Sequence, residues 1–254
     1  MGRLVARGAL SGLIAGLLAA LYAFFLVEPT LQRAIDREAA RAAAAGESQS
    51  ELLTRTAQHV GLFVGLAVVG LTIGVFYGVA LWLIHRSHGP LAEWDPSVVW
   101  RESLRLAAVG YAALHLLAFI RYPANPPGIG GADTINSRTD GWLLAIGFGL
   151  FAAALSWRLA AMLVERGRPQ PWPALAVTAI LAAALGIMYA VLPARPDPND
   201  YPAGLLWQFR ITSYGSYLIL WGGLAVVFTL LTARERSRRQ APVRTSGGEL
   251  QRLP

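Results

Sequence analysis

The stretch VGLFVGLAVVGLTIGVFYGVALWLI, residues 60–84, carries no charged side chain. As a helix rising 1.5 Å per residue it outruns the roughly 30 Å of hydrocarbon in a bilayer, which asks for about 20 apolar residues. It is too long for a strand and too uniformly apolar for a helix with one wet face. The reading that follows is an all-α polytopic membrane protein. Five more stretches support it: 8–27, 105–120, 141–164, 173–192 and 211–232. The third is the shortest. It contains His115 and gains a turn if Arg105 snorkels to the interface. The fourth carries Arg158 near its end. Composition agrees: 55% of the 254 residues are apolar and only 15% are charged, where a soluble domain carries about 25% charged.

Residues 1–233 thus read as one transmembrane helical domain of about six spans, and 234–254 as a basic, disordered tail. The first apolar stretch is longer than the 7–15 residues of a signal-peptide core and lacks a small-x-small cleavage site, so it reads as a retained helix. After it, Thr30 to Ala45 is Ala-rich with mixed charges and predicts an extramembrane helix that stops near Gly46. Residues 49–58 restart a helix into the second span. The segments 121–140 and 193–210 read as loops rich in Pro, Asn, Asp and Gly. With six spans both termini share a side. That side holds most of the 22 basic residues, including Arg3, Arg7, Arg101, Arg105, Arg166, Arg168 and the arginines of the tail. Positive charge stays inside, so both termini are expected in the cytoplasm of a bacterial inner membrane, with the tail against anionic lipid.

All 22 basic residues are Arg, and there is neither Lys nor Cys. A Walker A lysine, a Schiff-base lysine, a thiolate nucleophile and a cysteine metal site are therefore excluded. No Gly-x-Ser-x-Gly elbow or His-Glu-x-x-His occurs. No residue is assigned a catalytic role and the chain reads as a non-enzyme. The positive charge is explained by membrane topology, so no nucleic-acid partner is inferred; the bilayer itself is the first partner.

Glycines recur every four residues at Gly8, Gly12 and Gly16, at Gly61 and Gly65, and at Gly70, Gly74 and Gly78. That spacing lines one helix face and lets another backbone approach closely. The expected use is packing of the first span on the second. The alternative is docking of a second subunit, a homo-oligomer or a non-transporting scaffold that holds a partner on these faces. Gly149 belongs to neither repeat and is expected to tolerate enlargement better. No Asp or Glu lies inside the six stretches, which leaves no midplane carboxylate for proton coupling. The candidate metal ligands sit at one boundary: Glu28 closing the first span, His59 opening the second and His115 inside the third. A carboxylate with imidazoles suits cobalt, nickel or zinc. His85 and His88 read as a solvated loop at the other boundary. Tyr122, Pro123, Asn125, Pro126 and Arg138, with Trp207 and Arg210, read as a vestibule or a structural loop. Pro fixes the backbone there and leaves carbonyls free.

Several blocks together resemble the CbtA family of proposed bacterial cobalt transporter subunits. They are Glu28-Pro29-Thr30-Leu31 after a glycine-rich span; Tyr122 to Gly128 with Thr134-Ile135 and Arg138-Thr139; and Pro202-Ala203 with Leu205-Leu206-Trp207-Gln208-Phe209-Arg210. The likeness covers most of the chain from Leu4 to about Thr232. It implies a membrane subunit for cobalt uptake linked to cobalamin synthesis, beside a small partner, CbtB, with a His-rich metal site. It implies Co(II) or a similar divalent metal as transported substrate, with no permanently bound cofactor.

Overall fold

A computed structural model describes residues 1–46, 54–86, 93–127, 129–130, 134–194 and 201–240. It contains helices α1 (Gly2–Tyr22), α2 (Glu28–Ala44), α3 (Arg55–His85), α4 (Pro96–Tyr111), α5 (Leu117–Arg121), α6 (Ile135–Glu165), α7 (Trp172–Val191) and α8 (Ala203–Gln240). There is no strand among the described residues. A π turn at Ala23–Val27 joins α1 to α2, and another at Ala112–Leu116 joins α4 to α5. Counted through the π turns, six helices are long and apolar enough to cross a membrane. Buried residues make up only 11% of the most apolar window in α7 and 17% in α3. Phe76, Phe151, Leu175 and Val191 face outward. Such surfaces are unfavourable in water and at rest in hydrocarbon, so the chain is a multi-pass membrane protein.

Most helices begin before the apolar run that predicted them, because polar first turns are as helical as apolar ones. Thr54 caps α3, its hydroxyl accepting from the Ala57 amide at 3.3 Å. Asp95 caps α4, accepting from the Ser97 amide at 2.8 Å, with Pro96 in the first turn where its missing N–H costs nothing. The segment expected as the loop before the last span is partly helix, since α8 starts at Ala203 and takes in Trp207 and Arg210. At its far end α8 runs on to Gln240, so the basic tail begins as helix; residues 241–254 lie outside the described part. The helix expected after the first span is α2. It continues α1 without a break, giving 43 residues from Gly2 to Ala44, about 65 Å of helix.

The glycine repeats set the closest packing in the molecule. α1 and α3 run antiparallel, with Gly8 against Gly74 and Gly78, Gly12 against Gly70 and Gly74, and Gly16 against Leu66 and Gly70. A Cβ built on Gly12 would sit 2.8 Å from the Gly74 Cα, and one on Gly70 would sit 2.8 Å from the Gly16 Cα. These faces are filled from within the chain and are not surfaces for a partner. Gly61 and Gly65 differ: nothing lies within 4 Å of a Cβ at either. Gly149 also departs from expectation. Its Cβ would lie 3.0 Å from the Ala113 carbonyl carbon, so it is a close-packing position where α6 crosses the second π turn.

Two apolar clusters form the core. The larger joins α1, α3, α4 and α8 through Ala15, Ala19, Tyr77, Leu81, Val99, Ala107, Leu220, Trp221, Leu224 and Phe228. The smaller joins α5, α6 and α7 through Leu117, Ala145, Ala152, Ala184 and Met188. The α4–α5 span contributes to both and holds them together.

Candidate functional site

Polar side chains gather at the two ends of the bundle. At one end α1 closes on α8: Arg7 pairs with Glu235 and donates to the Thr232 hydroxyl at 2.9 Å. Arg236 donates to the Trp94 carbonyl at 2.8 Å. His85 belongs here, 3.9 Å from Glu102 and edge-on to the Trp94 ring at 4.7 Å, with only 11% of its side chain exposed. The expectation of a solvated loop is thus corrected for His85: the end of α3 tucks it under Trp94. His88 lies outside the described residues.

The opposite end carries the candidate ligands. A π turn holds one residue more than an α turn, which advances every following side chain by about 100°. The turn at Ala23–Val27 therefore re-aims Glu28 relative to the glycine face of α1. Glu28 Oε1 lies 3.0 Å from His59 Nε2 and is also paired with Arg55. The Phe24 ring stands edge-on to His59 at 5.2 Å. The Glu28 side chain is 15% exposed, low enough for these charged contacts to be only partly screened. Two of the three expected ligands thus meet.

His115 does not join them. It sits in the second π turn, stacked on Tyr217 with centroids 4.1 Å apart, and its Nδ1 accepts a hydrogen bond from Trp221 Nε1 at 3.1 Å. Indole N–H can only donate, so Nδ1 carries the lone pair and the proton of the neutral ring is on Nε2. Among the described residues no group of three or more His, Asp or Glu side chains could hold a metal ion. Met188, fully buried, packs in the smaller core cluster.

His115 instead lines a cavity of about 510 Å³ with Arg121, Tyr122, Pro123, Asn125, Arg138, Trp142 and Arg210. Five of the expected vestibule residues are on this wall. Pro126 is buried beside it, and Trp207 faces outward, 67% exposed. Arg121 NH2 donates to the carbonyls of Leu192 and Pro193, each at 2.6 Å, and Nε to Met188 at 3.3 Å. The guanidinium thereby closes the carboxyl end of α7, where the helix dipole favours a cation. Rings of Tyr122 and Tyr189 flank it at 4.7 and 4.9 Å. Arg210 donates to the Asn125 amide oxygen at 2.7 Å and ties the Tyr122–Pro127 segment to α8. Arg138 donates to the Ile129 carbonyl at 3.1 Å. The sequence marks these arginines as polar residues at span ends; that one of them caps a different helix could be learned only from the fold.

Residues 1–233 fit the family described as "Probable cobalt transporter subunit (CbtA)". No curated protein matches the chain, and no solved structure does. The matched region takes in every span, the glycine-packed helix pair, the Glu28–His59 contact and the whole wall of the cavity. On that match the chain belongs to the CbtA family of probable cobalt transporter subunits.

Proposed function

We propose that the protein is the membrane subunit of a bacterial inner-membrane system that takes up Co(II) or a similar divalent metal for cobalamin synthesis. It works beside a small partner subunit of the CbtB type and performs no catalytic chemistry itself. Both termini are cytoplasmic in this reading, so the Glu28 end faces outward and α2 stands clear of the bilayer. The family match over residues 1–233 carries the proposal. The chemistry of the Glu28 end supports it. A neutral His59 that donates from Nε2 to the Glu28 carboxylate keeps a lone pair on Nδ1 for a metal. A carboxylate behind the ligating imidazole is the arrangement that orients metal-binding histidines. Arg55 occupies the same carboxylate, and an arriving cation must displace it.

The role of His115 is then to hold Trp221 rather than to bind metal. The test is uptake of radioactive cobalt at limiting metal, in cells that also express the partner subunit at matched levels. Glu28→Gln and His59→Ala each lower uptake about tenfold or more, in line with the 10–100-fold cost of losing a metal ligand's orienting partner. His85→Ala leaves it within twofold. Unchanged uptake in the Glu28→Gln, His59→Ala double variant refutes the site.

A further inference from the structure

The cavity beside His115 is rich in cationic hydrogen-bond donors. Three guanidiniums line it, from Arg121, Arg138 and Arg210, and among the described residues no Asp or Glu is on its wall. Three of the neutral polar groups on the wall already make hydrogen bonds. The Tyr122 hydroxyl donates to the Pro193 carbonyl at 2.9 Å, and the Asn125 amide oxygen already accepts from Arg210. The Thr139 hydroxyl donates to the Ile135 carbonyl at 3.0 Å. The contact from Trp221 leaves His115 with its proton on Nε2, a further donor. Among the described residues neither Arg121 nor Arg138 has a carboxylate partner.

One donor is both buried and unmatched. Among the described residues Arg138 Nε has no hydrogen-bond partner, although solvent does not reach it. Gly130, at φ 89°, lets the preceding segment fold directly over this side chain: a Cβ there would lie 2.9 Å from the Arg138 Cζ. Native proteins rarely leave a buried charged donor unmatched without a purpose. Three guanidiniums repel a bare divalent cation, whereas a planar carboxylate or a phosphate finds the fork geometry that arginine pairs with best. A volume of about 510 Å³ is within the range of small-molecule sites.

We propose that this cavity binds an oxyanion, a carboxylate or phosphate group held by Arg138 and Arg210 with His115 Nε2 donating from the membrane side. The inference goes beyond metal uptake and does not depend on it. Such a group can come from a small free anion or from the headgroup of an anionic lipid at the bilayer surface, and the experiment separates the two. The full chain is reconstituted in phosphatidylcholine nanodiscs. Citrate and inorganic phosphate are titrated by calorimetry, and phosphatidylglycerol retained by the protein is counted by native mass spectrometry. One of the three binds at one per chain. Arg138→Gln weakens that binding at least tenfold. Arg138→Lys, which keeps the charge but loses the fork, weakens it several-fold. Arg33→Gln, which alters an arginine on α2 away from the cavity wall, does not. Binding of citrate or phosphate identifies a free anion, and retention of phosphatidylglycerol identifies the lipid. Absence of binding by all three, or equal binding to wild type and Arg138→Gln, overturns the proposal. Because cobalt uptake is read in a separate assay, loss of one activity leaves the other to stand.

Discussion

Adding a single methyl group at Gly12 should weaken the whole α1–α3 contact. In Gly12→Ala the new Cβ would lie 2.8 Å from the Gly74 Cα, and nearer still to the Gly70 carbonyl oxygen. Carbon atoms pack at about 3.5–4.0 Å, so the helices must part locally by about 1 Å. Both obstacles are backbone, and no side chain can swing away. A gap of that size forfeits a quarter to a half of the dispersion energy of each affected contact. Overpacking of this kind costs about 1–3 kcal/mol, against a gain of up to about 1 kcal/mol from the better helix propensity of Ala. Gly147→Ala supplies the reference, because nothing lies within 4 Å of a Cβ there and only the propensity gain remains. At about 2–4 °C per kcal/mol for a chain of this size, the roughly 1–3 kcal/mol of overpacking should melt Gly12→Ala roughly 2–12 °C below Gly147→Ala. The assay is the monodisperse fraction left after heating in detergent, followed by fluorescence-detected size exclusion. Gly149→Ala should side with Gly12→Ala because of the Ala113 backbone. Coincident melting of Gly12→Ala and Gly147→Ala refutes the close-packing argument.

Two other perturbations are informative. The native chain has no Cys, so single cysteines report orientation cleanly: Asn136→Cys should react with an impermeant thiol reagent in intact cells and Ser237→Cys should not, and the reverse pattern would invert the proposed topology. Asp95 is held below the usual carboxylate range, first by the Ser97 hydroxyl and then by the Ser97 amide. A carboxyl whose pKa is lower in the fold stabilises it above the unfolded value of about 3.9 and loses that contribution as pH falls through the folded value. The melting difference between wild type and Asp95→Ala should therefore hold steady near neutrality and shrink below about pH 4; a difference constant down to pH 2 would count against the cap.

The spans were legible because hydrocarbon thickness imposes a length that few other structures need. The glycine repeats were legible as packing faces, but spacing alone did not reveal which were covered. The five-residue step from Gly65 to Gly70 turns the helix by about 140°, so Gly61 and Gly65 lie off the face that meets α1. Gly149 was misjudged as tolerant because one glycine makes no pattern. The π turns Ala23–Val27 and Ala112–Leu116 left no mark in composition, since their residues suit an α-helix equally well. Those turns decide the candidate site: one precedes Glu28, and the other aims His115 at Trp221. Residue type suggested His115 as a ligand; its partner was supplied by a helix about a hundred positions later in the chain and could not be anticipated.

The position of α1 in the bundle also sets a timetable for biosynthesis. Its glycine face can be covered as soon as α3 has been made. Another part of its surface waits for α8, where a Cβ on Gly223 would lie 3.3 Å from the Ala15 Cβ and where Thr232 takes the hydrogen bond from Arg7. Ribosomes add about 5–20 residues per second, so the interval between those two events is on the order of 10 s. Throughout that interval Ala15, Ala19 and the Arg7 guanidinium sit in or beside the bilayer without their final neighbours. Through that wait the close backbone packing of α1 on α3 is the contact already available to the nascent chain.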